Sequence, residues 1–124
     1  MKIFKFGGAS VKDAEGVKNV LHVLNTVGHE DVLLVISAMG KTTNALEVVI
    51  KNYFDKSKEL HASLQEVRKY HNQILLDLFE DEDHDVFFDV NAHFDDLEYF
   101  IRSNKSPNYN FVYDQVVSVG EIVS

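Results

Sequence analysis

The pattern of the first 37 residues constrains the fold more than any other feature of this sequence. Residues 2–6 are apolar and β-prone, and Gly7-Gly8 interrupts them, which predicts a strand that runs into a tight turn. An amphipathic helix is predicted next. Residues 32–36 are then continuously apolar, as is typical of a strand covered on both faces. This order of elements predicts a right-handed βαβ unit and therefore an α/β domain with a parallel sheet.

The limits of the first helix are indicated by its flanking residues. Ser10 or Asp13 is expected to cap its N-terminus, because short polar side chains accept hydrogen bonds from the first free backbone N–H groups. Gly28 is expected to end the helix, since glycine readily adopts the left-handed conformation found after helix C-termini.

The middle of the chain is predicted to be helical. Apolar residues recur every three or four positions between about residues 45 and 103, and an acidic run at 80–85 separates two of these helices. This run is interpreted as a solvated turn and not as a metal site, because clustered like charges usually face water. Residues 103–110 hold the only proline, and residues 111–124 resume a helical pattern. Surface or half-buried positions are expected for the scattered helical histidines: His22, His61, His71 and His93.

Composition limits the possible functions. The chain has 124 residues and a formal charge of −8, which argues against nucleic acid or an anionic membrane as its main partner. It contains no cysteine, which excludes a disulfide framework and a thiol nucleophile. No apolar run reaches the roughly 18 residues of a membrane span, and the charged N-terminus is unlike a signal peptide. We therefore expect a soluble, cytoplasmic protein.

The turn after the first predicted strand is a candidate anion site. Two glycines allow backbone N–H groups to approach an anion closely, and the following helix directs its positive end to the same place. Lys5, at the end of the strand, adds a full positive charge. The alternative is an ordinary strand-to-helix turn beside a surface lysine, since Gly7-Gly8 alone is a weak signal.

A second candidate segment follows the second predicted strand. Residues 40–42 (Gly-Lys-Thr) resemble the end of a P-loop, but that motif requires glycine at Val35, which lies within the strand. The P-loop interpretation is therefore rejected. Ser37 and Thr43 remain as hydroxyl donors for a carboxylate or a phosphoryl group. The alternative is that Thr43 or Asn44 only caps the next helix.

A third candidate segment lies near the end of the chain. Ser118, Glu121 and Ser124 are spaced three residues apart on a predicted helix that also contains Gly120. Glycine in a helix costs about 0.5–1 kcal/mol relative to alanine, which indicates a positional reason for Gly120. The carboxylate of Glu121 can receive a substrate ammonium group. The alternative is a solvated glutamate.

Together the three segments resemble the aspartate kinases of the amino-acid kinase superfamily. Those enzymes carry K-F-G-G-[TA]-S-V, then V-S-A-M-G-x-x-T-N, then D-x-[VL]-[VL]-S-x-G-E-x-x-S. Residues 5–11, 35–44 and 114–124 resemble these motifs in the same order and at similar spacing. The resemblance covers about residues 1–46 and 112–124, and the helical middle is a region in which such kinases vary.

The resemblance implies a fold and an activity. The fold would be a partial three-layer αβα sandwich of the amino-acid kinase type, with a parallel βαβ core at 1–44, a helical insertion at 45–103 and the start of a substrate-site helix at 111–124. The activity would be transfer of the γ-phosphoryl group of ATP to the side-chain carboxylate of L-aspartate. Mg²⁺ would arrive with the nucleotide and would not need a dedicated protein site. A homo-oligomer would be expected.

The resemblance also implies residue roles. Lys5 would be the catalytic residue, because it would neutralise charge on the transferred phosphoryl group. Aspartate would be bound by Ser37, Thr43 and Glu121, and Glu121 could instead orient Lys5. Phosphate binding would fall to the first loop and the end of the second strand: Lys5, Gly7, Gly8, Ala9 and Ser37.

Two departures from the family pattern affect these expectations. Ala9 stands where many members have threonine, which predicts a tuned phosphate site. Complete aspartate kinases are several times longer than this chain, so we expect a fragment without the rest of the kinase domain and the ACT regulatory domains, inactive alone. One alternative is a non-catalytic interaction or assembly module, and another is a sister kinase with a different acidic substrate.

Overall fold

The computed structural model describes residues 1–124 and shows a mostly helical α/β protein. Its two strands form a small parallel sheet, and a 3₁₀ turn (Gly8–Val11) and five α-helices complete the fold. The strands are β1 (Lys2–Phe6) and β2 (Val32–Ile36). The helices are α1 (Ala14–Val27), α2 (Thr42–Phe54), α3 (Leu60–Leu78), α4 (Asp85–Ser103) and α5 (Tyr109–Val123). None of the helices combines the length and the apolar character needed to span a membrane.

The predicted strand–helix–strand unit is confirmed. β1 and β2 pair in parallel, from Lys2 beside Val32 to Phe6 beside Ile36. Helix α1 makes the connection between them, as a parallel pair requires a crossover. The sheet has no third strand in this chain, so the structure establishes an α/β fold without showing a complete three-layer sandwich.

Of the two residues predicted to cap the N-terminus of α1, one does so, and the predicted glycine ends the helix. The carboxylate of Asp13 accepts a hydrogen bond from the backbone N–H of Gly16 at 2.8 Å. Ser10 lies in the preceding 3₁₀ turn and is not the cap. Gly28 follows the helix with φ +88°, a conformation that side chains disfavour, so it ends the helix as predicted.

The expectation that β2 is covered on both faces is wrong for this chain. Leu33 is 48% exposed and Ile36 is 37% exposed. The physical reason is that α2, α3, α4 and α5 bury their apolar faces mainly against one another, and the two-stranded sheet lies beside them. An apolar sheet surface therefore faces solvent.

The core is formed by the four helices that follow the sheet. Leu46 of α2, Phe94 of α4 and Val116 of α5 are at most 1% exposed and belong to one cluster. A smaller cluster joins the first half of the chain to α3: Val11, Val20, Met39 and Ile74. The predicted helical middle is thus confirmed, and its helices hold the glycine turns in place through packing.

Two helix boundaries differ from the sequence-based expectation. Helix α2 begins at Thr42, and Lys41 occupies its N-cap position without a side-chain hydrogen bond. Thr43 and Asn44 therefore lie inside the helix and do not cap it. Helix α5 begins at Tyr109, two residues before the predicted start at 111, because the side chain of Asn108 caps it.

Candidate functional site

The first predicted loop leaves three backbone donors free. The N–H groups of Gly7, Gly8 and Ala9 donate to no backbone carbonyl, whereas Ser10 N–H donates to Gly7 O at 3.0 Å. A Cβ placed on Gly7 would meet no atom within 4 Å, so the space beside this residue is open. Lys5, Gly7 and Ala9 are all exposed. This loop presents an accessible row of N–H groups beside one lysine of β1.

The first loop is in contact with the second. Gly40 N–H donates a hydrogen bond to Gly8 O at 2.9 Å. A Cβ on Gly8 would lie 2.6 Å from Gly40 O and 2.9 Å from Ala38 O, which is closer than side-chain carbons are found to backbone oxygens. Glycine at position 8 is therefore required for the two loops to approach this closely, a reason that differs from the anion approach expected from the sequence.

The second loop combines a strand end and a helix start. Ser37 follows β2, its N–H donates to Phe6 O at 3.0 Å, and its side chain is half-buried. The hydroxyl of Thr42 is buried and donates to Met39 O at 2.5 Å, which closes the turn before α2. Thr43 lies half-buried in the first turn of α2.

The third segment reaches the second loop through Gly120 of α5. A Cβ on Gly120 would lie 3.0 Å from Thr42 Cγ2 and 3.1 Å from Leu46 Cδ1, so the missing side chain allows α5 to pack closely on the start of α2. Four residues later, the hydroxyl of Ser124 donates to Ser37 O at 2.7 Å. The third segment is therefore joined directly to the second.

The charged residues assigned to the site both face solvent. Lys5 and Glu121 are exposed, and neither belongs to the ion pairs of the chain, which join the N-terminal amine to Asp31 and Arg68 to two carboxylates of α4. The structure brings together residues 5–11, 35–44 and 114–124, and the first and last of these segments carry the two residues. It does not join Lys5 to Glu121, so an orienting contact between them stays a prediction.

Two residues of α3 that the sequence did not assign to the site contact it, and the first of them, Tyr70, lies against both loops. The hydroxyl of Tyr70 donates to the carbonyl oxygen of Lys12, and a Cβ on Gly40 would lie 2.5 Å from that hydroxyl oxygen. Burial raises the pKa of Tyr70 above 10.0, and the nearby Asp13 carboxylate adds to this shift. Tyr70 therefore fixes the end of the 3₁₀ turn beside Gly40.

His71 is the neighbouring contact, and its predicted surface or half-buried position is wrong, since it is 2% exposed. Its Nδ1 lies 2.8 Å from Val67 O and its Nε2 lies 3.4 Å from Thr42 Oγ1. Burial lowers the pKa of His71 below 6.5, although the bond to the Val67 carbonyl opposes the shift. A signal was present in the sequence, because His71 falls on the apolar stripe of α3.

Comparison with known proteins relates the chain to one class of enzyme. No family model matches it. Curated proteins named as aspartokinases are similar to it, at low identity or over part of its length.

Three relatives show the extent of this similarity. The bifunctional aspartokinase/homoserine dehydrogenase 2 of Escherichia coli is 29% identical over 123 residues, which is 99% of this chain. The chloroplastic aspartokinase 1 of Arabidopsis thaliana is 50% identical over 44 residues, or 36% of this chain. The chloroplastic bifunctional enzyme of Daucus carota is 30% identical over 81 residues, or 65% of this chain. The chain spans 15%, 8% and 9% of the lengths of these three proteins.

Proposed function

We propose that this chain is part of an aspartate kinase and contributes one side of an active site that phosphorylates the side-chain carboxylate of L-aspartate. The observation that carries the proposal is that the loop after β1, the loop before α2 and the end of α5, which are distant in sequence, meet in the structure. Gly40 N–H bonds Gly8 O, Gly120 packs on Thr42, and Ser124 bonds Ser37 O. The similarity to proteins named aspartokinase supports the same conclusion.

The first loop suits a phosphoryl group. The free N–H groups of Gly7, Gly8 and Ala9 can donate to phosphate oxygens, and the open space beside Gly7 allows close approach. On this proposal Lys5 neutralises negative charge on the transferred group. Phosphoryl transfer depends mainly on such charge neutralisation and on alignment, because the protein performs little covalent chemistry.

The second loop and the end of α5 suit the amino-acid substrate. We assign Ser37 and Thr43 to the aspartate carboxylates and Glu121 to the ammonium group. Glu121 has no ion-pair partner within the chain and is exposed, so its carboxylate is available for a cationic group. Ser37 is held in place at both its N–H and its carbonyl.

Mg²⁺ would accompany ATP, supply positive charge to the phosphates and be held mainly by phosphate oxygens and water. The amino-acid kinase sandwich, assembly into a homo-oligomer and a cytoplasmic location belong to the same proposal. The chain alone is proposed to be inactive, because it spans only a small part of its aspartokinase relatives.

The test is made in the full-length gene product that contains this chain. Lys5→Ala should reduce kcat for ATP- and aspartate-dependent hydroxamate formation by about 10²–10³-fold, the range seen when one charge-stabilising donor is removed. The KM for aspartate should change far less. Lys2→Ala is the matched control, since Lys2 is an exposed lysine of the same strand.

The outcomes separate the alternatives. Near-normal kcat in Lys5→Ala would contradict the role of Lys5. Hydroxamate formation by the isolated 124-residue chain would contradict the proposal that it is inactive alone. A full-length protein that phosphorylates another acidic substrate in preference to aspartate would be a sister kinase. One with no kinase activity would favour a non-catalytic interaction module.

A further inference from the structure

A cavity of about 590 Å³ lies between the 3₁₀ turn, the loop before α2 and helix α3. This volume falls within the roughly 300–1,000 Å³ of typical small-molecule sites. Of the residues assigned to phosphate or aspartate, Ala9 lines it, and three residues of the loop contacts line it as well: Gly40, Thr42 and Tyr70. The cavity therefore adjoins the candidate site, but none of the side chains assigned to aspartate lines it, so its ligand is tested independently of kinase activity.

Two lysines stand close together at this cavity. A Cβ on Gly40 would lie 3.5 Å from Lys12 Cβ, and Lys41 is the next residue after Gly40, so the two lysine side chains start from neighbouring points. Both line the cavity and both are exposed. Neither takes part in an ion pair. In a chain with a net charge of −8, this is a local concentration of unpaired positive charge suited to a carboxylate.

The opposite wall carries negative charge. Glu66 of α3 lines the cavity one helical turn before Tyr70, and it also has no ion-pair partner. Asp13 is close by, but one of its carboxylate oxygens already caps α1. Asp13 also lines the cavity, and Glu66 is the carboxylate of the lining that makes no hydrogen bond to the chain and is left to receive a cation.

The interior between these charges is apolar. Ala45, Val67 and the ring of Tyr70 line it. Val67 is buried, and the Tyr70 hydroxyl is engaged with the Lys12 carbonyl, so the ring is held in one place. A cavity with an apolar interior and a few separated charges selects a small amphipathic ligand.

We propose that this cavity binds a small zwitterion with an apolar substituent, the chemistry of an apolar α-amino acid. Its carboxylate meets Lys12 and Lys41, its ammonium group meets Glu66, and its apolar group lies against Ala45 and Val67. Such a ligand touches Gly40, whose N–H donates to Gly8 O. Its binding is therefore transmitted directly to the first loop.

The ligand test uses the ¹⁵N-labelled 124-residue chain and three probes that differ in charge. L-phenylalanine carries both charges, 3-phenylpropionate lacks the ammonium group, and 2-phenylethylamine lacks the carboxylate. Saturable shifts of the Gly40 and Lys41 amide signals are expected with L-phenylalanine, and each analogue should bind about tenfold more weakly, as for the loss of one good charged contact. Equal affinity for all three probes would overturn the proposal. The absence of saturable shifts up to about 20 mM L-phenylalanine would also overturn it, because binding weaker than this is not specific.

Variants locate the site. Combining Lys12→Ala with Lys41→Ala should weaken L-phenylalanine binding by about tenfold or more, and Glu66→Gln should remove the preference over 3-phenylpropionate. Lys58→Ala is the control, because Lys58 is exposed on the turn between α2 and α3 and does not line the cavity. All of these side chains are exposed, so the amide spectra should keep the pattern of the folded chain. Unchanged binding in the double variant and in Glu66→Gln would place the ligand elsewhere and refute the assignment.

Discussion

The contact between Gly8 and the Gly40 carbonyl gives a sharp prediction, because a neighbouring glycine provides the control. In Gly8→Ala the new Cβ would begin 2.6 Å from Gly40 O, and this gap must open by about 0.8 Å to reach the 3.4 Å at which ordinary contacts begin. In Gly7→Ala the new Cβ meets nothing within 4 Å, and the backbone at φ −76° and ψ 174° is extended, which alanine adopts readily.

The expected magnitude follows from these distances. Forcing the loops apart is an overpacking change of about 1–3 kcal/mol. It also lengthens the 2.9 Å bond from Gly40 N–H to Gly8 O, which adds about 1 kcal/mol. Gly8→Ala should therefore lower the free energy of unfolding by about 2–4 kcal/mol. Gly7→Ala should raise it by about 0.4–1 kcal/mol, because alanine restricts the unfolded chain.

The assay is urea unfolding of both variants, followed by far-ultraviolet circular dichroism. The loss of flexibility in the unfolded chain is the same for both substitutions, so the difference between them reports the contact in the folded state. The m-values should stay equal, since neither substitution changes the surface exposed on unfolding. Ordinary surface substitutions change the free energy of unfolding by about 0.5 kcal/mol or less. A difference no larger than about 0.5 kcal/mol between the two variants would therefore refute the requirement for glycine at position 8.

Three further predictions concern a buried histidine, an ion pair and the exposed sheet. The free energy of unfolding should fall as pH drops below 6.5, by at most about 1.4 kcal/mol per pH unit from His71, because the unfolded chain binds a proton that the buried ring resists. His71→Gln should remove this contribution and exposed His93→Gln should keep it; equal slopes would contradict the reasoning. Arg68→Ala should lower the free energy of unfolding in urea by about 1–3 kcal/mol, because Arg68 bonds Asn91 and pairs with two carboxylates of α4. The control, Lys69→Ala at an exposed lysine, should lower it by less than about 0.5 kcal/mol. Equal losses in the two variants would show that the Arg68 contacts do not stabilise the fold. Leu33→Lys should reduce self-association in sedimentation velocity, because it places charge on the exposed apolar sheet, and unchanged association would place the contact elsewhere.

Much of the secondary structure was predictable because its signals are local. The parallel strands, the Asp13 cap, the glycine stop and the helical middle all depend on residue type and spacing within one element. The exposure of β2 was not predictable in this way. A continuous apolar strand indicates burial in general, but burial depends on which other elements cover the sheet.

The candidate site, too, was predictable from the sequence only in part. Parallel strands bring their carboxyl ends to one edge, so the contact between the loops of Gly8 and Gly40 was foreseeable from the βαβ pattern. The contributions of Tyr70 and His71 were not, because they depend on how α3 packs against α1 and α2. The roles of Lys5 and Glu121 stay predictions that enzyme kinetics must test.

The bond from Ser124 to Ser37 has a consequence for how the molecule assembles. It joins residues 87 positions apart, whereas the loops of Gly8 and Gly40 are joined across a much shorter segment. Each doubling of a closed loop costs roughly 0.6 kcal/mol of chain entropy, so the last turn of α5 is the contact that the chain entropy opposes most. We therefore expect amide hydrogen exchange to be faster around Glu121 than around Leu46, and the last turn of α5 to open and close while the two glycine loops stay together.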